Sequence, residues 1–479
     1  MVTEVTATSL FAGPDRGTIH NVVLRHDAGL ITEITPGSAP TPAPRTFILP
    51  AFVNAHDHAR PTASSFGAVD MPLESWILRS AMGTPPDPYL AAAAAMARSA
   101  RAGCAAMMIH YTRPSGKLPL IEEAKEIARA ANDVGIRIAF ALAVRDQNPV
   151  VYGDSEPVLS ALSAADRSSI EQLFVRPAMS LDYIELTEAI AAEISGPKID
   201  VQFGPAGVQW CSRPLLEAIA ENSARTGRRV HMHLLETVYQ RAWADRHFPD
   251  GVVRHLRDIG LLSPRLTLAH GIHARPDELE MIAASGARLV TNFSSNLHLH
   301  SGLAPIAAAH RCGCAIAVGV DGLALDEDDD VIREMRLVQL AHGGLGFART
   351  WTRPEFFSLV IRNGRAATGA PGPGELAPGA AADFVVLDLD RLDRDRIMEV
   401  DPLQLLFARG NAALVRDVVV GGQTIVREGK VVGVDLPAIE RELRGMYREG
   451  VKQFGGLARA WGPLEGALSR WFEGHMGCG

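Results

Sequence analysis

Cysteine is scarce in this 479-residue chain: five residues, an odd and scattered set. Such a count builds no disulfide framework and points to a reducing compartment, the cytoplasm. Cys312 and Cys314 stand too close together for a zinc knuckle, and no second pair lies nearby. A basic surplus is also missing. Lys and Arg number 47 against 55 Asp and Glu, a formal net charge of −8. That balance offers no attraction for phosphate backbones or anionic lipid, which argues against nucleic-acid and membrane-surface partners. No apolar run reaches the ~18 residues that a spanning helix needs. The first residues, MVTEVTATSLFAGPDRG, lack the basic stretch and apolar core of a secretory signal. The acidic run at 326–330 lacks the Gly and terminal Glu spacing of a calcium loop and reads as the N-terminus of a helix. What is present is globular composition, 47% hydrophobic and 21% charged.

The pattern changes twice along the chain. Residues 1–50 read as short strands and turns, closed by a Pro-rich connector, TPGSAPTPAPRT. From there to about 373, apolar runs alternate with helical stretches. PYLAAAAAMARSARAG, IEEAKEIARAANDVG and PLLEAIAENSARTG each end in Gly, the usual helix stop. The runs FILPAFVNAH, CAAMMIH, RIAFALAV, VQFG, RVHMHL, LTLAHG, ARLVTNF and AIAVGVDG are eight strands. Apolar strands alternating with helices indicate a parallel sheet covered on both faces, and eight repeats indicate a closed (β/α)8 barrel, with a doubly wound open sheet as the alternative. Residues 374–434 return to strands and turns, including a Gly-Gly hairpin in VVVGGQTIVREGKVV. The expected organisation is a β-sandwich from 1–50 plus 374–434, a catalytic barrel at 51–373, and a helical extension at 435–479. In the extension Met446, Phe454, Leu457, Trp461, Leu464, Leu468 and Trp471 form an apolar stripe, expected to pack on the barrel or on a second subunit.

Chemistry concentrates at strand ends, where barrel active sites are built. His56-Asp57-His58 closes the first strand; residues two apart on a strand point to one side, so the two imidazoles converge. His231-Met232-His233 runs on to Glu236, LTLAH ends in His270, and AIAVGV leads to Asp321. Any one of these reads alone as a cap; four together read as a site. Three imidazoles and a carboxylate make a borderline-soft divalent site, with zinc the default and iron, cobalt or manganese the alternatives. Such an ion brings the pKa of water to about 7, and neighbouring carboxyls and imidazoles can move the protons.

The segments LPAFVNAHDH, VHMHLLET, LAHGIH, TNFSSNLHLHSGLAPI, GVDGLALDEDDDVIREMRL and GELAPGAAADFVVLDL together resemble the amidohydrolase superfamily, in its branch of deaminases and triazine-type hydrolases. The resemblance covers roughly residues 1–435. It implies the barrel, a sandwich from both chain ends, one catalytic divalent metal, and hydrolytic attack at an sp² carbon. It implies His56, His58, His233 and Asp321 as metal ligands. Asp321 would also accept the water proton, Glu236 would shuttle it to the leaving nitrogen, and His270 would be a second catalytic imidazole. His231 would support the site from behind a ligand. It also implies a homodimer or higher homo-oligomer.

Departures from the pattern bear on substrate. Lys198 precedes VQFG in no context for bridging two metals, which favours one metal. Where nucleoside- and purine-type deaminases of this branch often carry FGPHSP, this chain has FGPAGVQWCS, with Ala206 in place of the His and Trp210 following. Losing that hydrogen-bonding group weakens a nucleobase reading. Trp76 lies on the first lid loop and His110 ends the run CAAMMIH; with Trp210 and Asn296 they are the candidate substrate contacts. The loops resemble phenylurea and molinate-type hydrolases more than purine deaminases. The expected activity is metal-dependent hydrolysis of a non-peptide C–N bond in a small amide, urea or carbamate. The alternative is deamination or related hydrolysis of an aromatic N-heterocycle such as a triazine, pterin or nucleobase. A catalytically silent binding protein is disfavoured, because Glu236, His270 and Asp321 are all present.

Overall fold

The computed structural model describes residues 2–37, 44–60, 63–174, 182–322 and 328–477. Half of the Pro-rich connector, the first two residues of the acidic run and Cys478 lie outside them. Eighteen strands are described, in two large sheets and one small hairpin. The first four are β1 (Thr3–Phe11), β2 (Thr18–Asp27), β3 (Leu30–Pro36) and β4 (Thr46–Pro50). Then come β5 (Phe52–Asn54), β6 (Cys104–Tyr111), β7 (Arg137–Val144), β8 (Ile199–Pro205), β9 (Val230–Leu234), β10 (Leu266–His270), β11 (Arg288–Thr291) and β12 (Ala315–Val318). The hairpin is β13 (Gly344–Leu345) and β14 (Ala348–Arg349). The last four are β15 (Phe384–Asp388), β16 (Val415–Val420), β17 (Gln423–Arg427) and β18 (Lys430–Val431).

Strands β5 to β12 form one sheet in sequence order, every neighbour parallel. Its two edges meet: the Ala55 N–H donates to the Val318 carbonyl at 3.0 Å, and the Asp321 N–H donates to the His56 carbonyl at 2.9 Å. The sheet is thus the (β/α)8 barrel that the eight apolar runs predict. Every residue of β6 is buried, as a strand covered on both faces requires. Helices Leu120–Val134 and Arg213–Thr226 stop at Gly135 and Gly227, both in the left-handed conformation. Lys198 precedes β8 at its N-terminal end, opposite the strand end that faces the site.

The run FILPAFVNAH, expected as one barrel strand, divides. Thr46–Phe47-Ile48-Leu49-Pro50 joins the other sheet, and only Phe52–Asn54 enters the barrel. Pro50 has no N–H to continue a ladder. Ala51, one residue on, donates to the Asp383 carbonyl at 3.2 Å while Phe52 already donates to Gly103. The second sheet has the order β18-β17-β16-β15-β4-β1-β2-β3 and so draws on both chain ends. It has its own apolar cluster, including Leu10, Val22, Leu24, Ile48, Phe384 and Val386. Between β16 and β17, Gly421 and Gly422 both have positive φ, the geometry of the tight hairpin that a Gly-Gly pair signals. Asp383 ties the sheets together, pairing with Arg137 of β7 and with Arg365 of helix Arg353–Thr368, each at 2.8 Å.

The extension forms helices Leu436–Gly450 and Gly455–Met476. Its apolar stripe packs on its own chain. Leu457, Leu464, Leu468 and Trp471 are buried, and Phe472 meets the rings of Tyr152 and Tyr239. At the described end of the acidic run, Asp330 caps helix Val331–His342, its carboxylate accepting the Arg333 N–H at 3.0 Å. Among the described residues, no helix is long and apolar enough to cross a membrane.

Candidate metal centre and active site

Four strand ends of the barrel deliver the expected residues to one point. His56 and His58 follow β5, His233 lies in β9, His270 ends β10, and Asp321 follows β12. Candidate ligand atoms of His56, His58 and His233 all lie within 4.8 Å of one another, as do those of His56, His270 and Asp321. Both His56 Nε2 and His58 Nε2 are 3.1 Å from Asp321 Oδ1, and His58 Nε2 is 3.3 Å from His233 Nε2. All five side chains are buried. Close approach of the backbones is built in at Gly319. A Cβ there would stand 2.7 Å from the His56 nitrogen and 2.6 Å from Asn292 Oδ1. His270 and Asp321 themselves adopt positive φ, 72° and 65°, a conformation that non-Gly residues adopt at a cost and that clusters at functional sites.

Each imidazole is oriented from behind. His58 Nδ1–H donates to the His110 carbonyl and His233 Nδ1–H to the Ala206 carbonyl, both at 2.7 Å. His270 Nδ1–H donates to Asn296 Oδ1 at 2.9 Å. His56 Nδ1 lies 2.7 Å from His231 Nε2, and its proton goes to that nitrogen. The Nε2 lone pairs therefore all turn inward. Burial, with the Arg60 charge second, pushes His58 down to about 3. Burial likewise pushes His270 down to about 4 and His233 well below the ordinary imidazole value. Neutral lone pairs converge on a carboxylate oxygen, and His56 Nε2, His270 Nε2 and Asp321 Oδ1 are buried without a hydrogen-bond partner. Acceptors brought this close repel unless they share a cation. The donor set of imidazoles and carboxylate fits a borderline-soft divalent ion.

Glu236 lies just past β9 with its Oε2 3.6 Å from His270 Nε2, and its Oε1 has no partner. Burial first, then the neighbouring Asp321 and Glu74, raise its carboxyl well above the usual carboxylate range. Ser295, which the sequence reading passed over, donates its hydroxyl to Asp321 Oδ2 at 2.5 Å. Glu74 was also unforeseen: its Oε1 accepts from Thr237 Oγ1 at 2.6 Å and from the Tyr152 hydroxyl at 2.8 Å, anchoring helix Leu73–Arg79 beside Glu236. Asp57, the middle of the H-x-H, serves the turn: its carboxylate accepts from Asn54 Nδ2 and from the N–H groups of His58 and Ala59.

The four candidate substrate contacts differ. His110 is packed against His58 and His233, ring centroids 5.5 and 4.8 Å away, with Nε2 donating to the Gly204 carbonyl at 3.2 Å. Trp76 is buried on helix Leu73–Arg79 with its Nε1–H unpartnered. Asn296 is engaged by His270, so its placement is that of an orienting group. Trp210 packs edge-on to Tyr152 at 5.9 Å, and its carbonyl accepts from the N–H groups of Asp146 and Gln147.

The chain matches the amidohydrolase family over residues 47–425 and belongs to that family. It is a metal-dependent hydrolase acting on carbon–nitrogen bonds other than peptide bonds. It is 26% identical over 402 residues to a 5-methylthioadenosine/S-adenosylhomocysteine deaminase of Nitratidesulfovibrio vulgaris, covering 84% of each chain. It is 29% identical over 409 residues to an 8-oxoguanine deaminase of Pseudomonas aeruginosa, covering 83% of this chain and 86% of that one. Among solved structures, an adenosine deaminase from Xanthomonas campestris with bound zinc superposes with a TM-score of 0.77 at 20% identity, over 94% and 98% of the two chains. A mutant atrazine chlorohydrolase from Arthrobacter aurescens TC1, complexed with zinc and atraton, gives 0.75 at 22% identity, over 92% and 98%.

Proposed function

We propose that this enzyme hydrolyses an exocyclic C–N bond of a small N-heterocycle and releases ammonia or an amine. The observation that carries the chemistry is the buried pair of Glu236 and His270 beside the ligand cluster. His56, His58, His233 and Asp321 would hold one divalent ion; zinc is favoured because structural relatives bind it. The ion, when bound, acidifies water toward neutrality. Asp321, kept in place by Ser295, accepts a proton from the attacking water at Oδ1. Glu236, whose burial favours its protonated form, delivers a proton to the leaving nitrogen. His270, whose Nδ1–H is held by Asn296, turns its Nε2 lone pair into the site and accepts a hydrogen bond from the attacking water. Trp76 and His110 contact the substrate.

The heterocycle is supported by the deaminases among the relatives. A second reading, an acyclic amide, urea or carbamate, is supported by Ala206. That residue gives the site only its carbonyl, to His233, and offers no side-chain group for a base edge. A substrate screen with zinc-loaded enzyme, following ammonia and amine separately, tests both readings. Heterocycle turnover with ammonia release supports the first, amine release from acyclic substrates the second, and no turnover of either overturns the proposal. Chelation should remove activity, and added zinc should restore it. We also propose the division into 1–50 plus 374–434, 51–373 and 435–479. A cytoplasmic location accords with free Cys104, Cys211, Cys312 and Cys314. A homo-oligomer is proposed on the family likeness alone, because the extension's stripe is buried on its own chain; sizing at micromolar concentration tests it.

A further inference from the structure

A cavity of about 350 Å³ lies between helix Pro88–Arg101 and helix Leu436–Gly450 of the extension. One wall is the alanine face of the first helix. The charged lining is nearly of one sign, Arg60, Arg98, Arg444 and Arg448 against the single carboxylate of Glu440. Arg98 holds Glu440 at 2.6 Å, and Arg444 lies 3.7 Å from it. Neither Arg60 nor Arg448 has a carboxylate partner among the described residues. Two polar atoms of the lining residues, Arg60 Nε and the Tyr447 hydroxyl, are buried without a hydrogen-bond partner. Desolvated donors of this kind are costly to leave unmet, and a bound acceptor relieves that cost.

Arg60 also marks the cavity's inner end. It follows His58 by two residues, and its guanidinium lies over the Trp76 ring at 5.0 Å. Its Nη2 reaches Thr112 Oγ1, at 3.5 Å, and that hydroxyl is 3.4 Å from His58 Nδ1. Arg60 thus links the cavity, through Thr112, to His58. An arginine fork matches a planar carboxylate, and an apolar wall accepts a ring.

We propose that this cavity binds an aryl or heteroaryl carboxylate, gripped by Arg60 from the barrel side and by Tyr447 and Arg448 from the extension. The carboxylate is a substituent of the substrate or a separate small molecule. Only the first source rests on the hydrolase reading; the site itself does not.

The test is calorimetric titration of zinc-loaded enzyme with benzoate, benzamide and inorganic phosphate. Benzoate should bind at least about tenfold more tightly than benzamide, because only the carboxylate completes the arginine fork. Arg60→Met and Arg448→Met should each remove most of that preference, and Tyr447→Phe a smaller part, with benzamide binding unchanged. Should Arg60→Met fail to fold, Arg448→Met and Tyr447→Phe still decide, since their positions lie on the extension. Equal affinities for benzoate and benzamide, no binding of either, tighter binding of phosphate, or wild-type benzoate binding in these variants would each overturn the proposal. None of these readings needs turnover, so an error in the proposed reaction would not be mistaken for an error here. Once a substrate is in hand, competitive inhibition by benzoate identifies the carboxylate as a substrate substituent. An altered kcat at unchanged KM identifies it as a separate molecule.

Discussion

Glu236 and His231 stand in different relations to the metal-ligand cluster, and replacing each should separate proton transfer from metal binding. A nitrogen leaving group departs poorly until it is protonated, and the proposed reaction assigns that proton to Glu236, the buried carboxyl beside His270. Glu236→Gln keeps the shape and removes the titrating group. The variant should hold wild-type metal content while its chemical rate falls by about 10²-fold or more; metal analysis alongside single-turnover kinetics checks both halves. His231 instead lies 2.7 Å from His56 Nδ1 and, in the proposed site, would fix which nitrogen of His56 faces the ion. His231→Ala should weaken zinc affinity by about 10–100-fold, measured by competition with a chromophoric chelator. Both residues were visible in the sequence, because H-x-H spacing and polar strand ends are patterns of residue type. The groups that orient the imidazoles were not. His58 and His233 are held by the carbonyls of His110 and Ala206, and a carbonyl is common to every residue. Ser295 and Glu74 were equally hidden, since each meets its partner across the barrel rather than along the chain.

Strands were legible because a buried parallel strand must be apolar throughout, and each of the eight runs supplies one strand to the barrel. Their ends were less so. The split of FILPAFVNAH between two sheets turns on Pro50 and Ala51, within a run whose hydrophobicity never breaks. Trp210 follows a barrel strand on the 3-10 turn Val208–Trp210, and its ring meets Tyr152, a contact between side chains that no pattern along the chain signals. The closing strand shows what an element's end can demand. Gly319 follows β12 where the chain passes the His56 backbone, and an added Cβ would overlap backbone that has no flexible end to yield. Gly319→Ala should destabilise the fold by roughly 1–3 kcal/mol, the usual cost of overpacking. It should also lower zinc content, because His56 and Asp321 are displaced together. Thermal unfolding with metal analysis would show both effects, and a stable variant with full zinc would contradict the tight approach.

Asp383 joins the barrel to the sheet built from both chain ends. Its carboxylate is buried between Arg137 and Arg365 and also accepts the Gly421 N–H at 2.6 Å. Burial opposes its ionisation, but the two guanidinium groups outweigh it and hold the carboxyl below the usual aspartate range. A depressed carboxyl stabilises the fold at any pH above its unfolded value of about 3.9. The stabilisation is lost as pH falls through the lower, folded value. Removing the charge leaves two buried arginines without their partner, a loss of about 3–5 kcal/mol for pairs of this kind. Asp383→Asn should therefore unfold in urea well before the wild type at pH 7, by an amount nearly constant down to about pH 5. Below about pH 4 the difference should shrink, because the wild-type carboxyl is then being protonated as well. A gap that widened on acidification would mean that Asp383 titrates upward rather than downward. A gap absent at pH 7 would mean that the two sheets are held together by their apolar contacts alone.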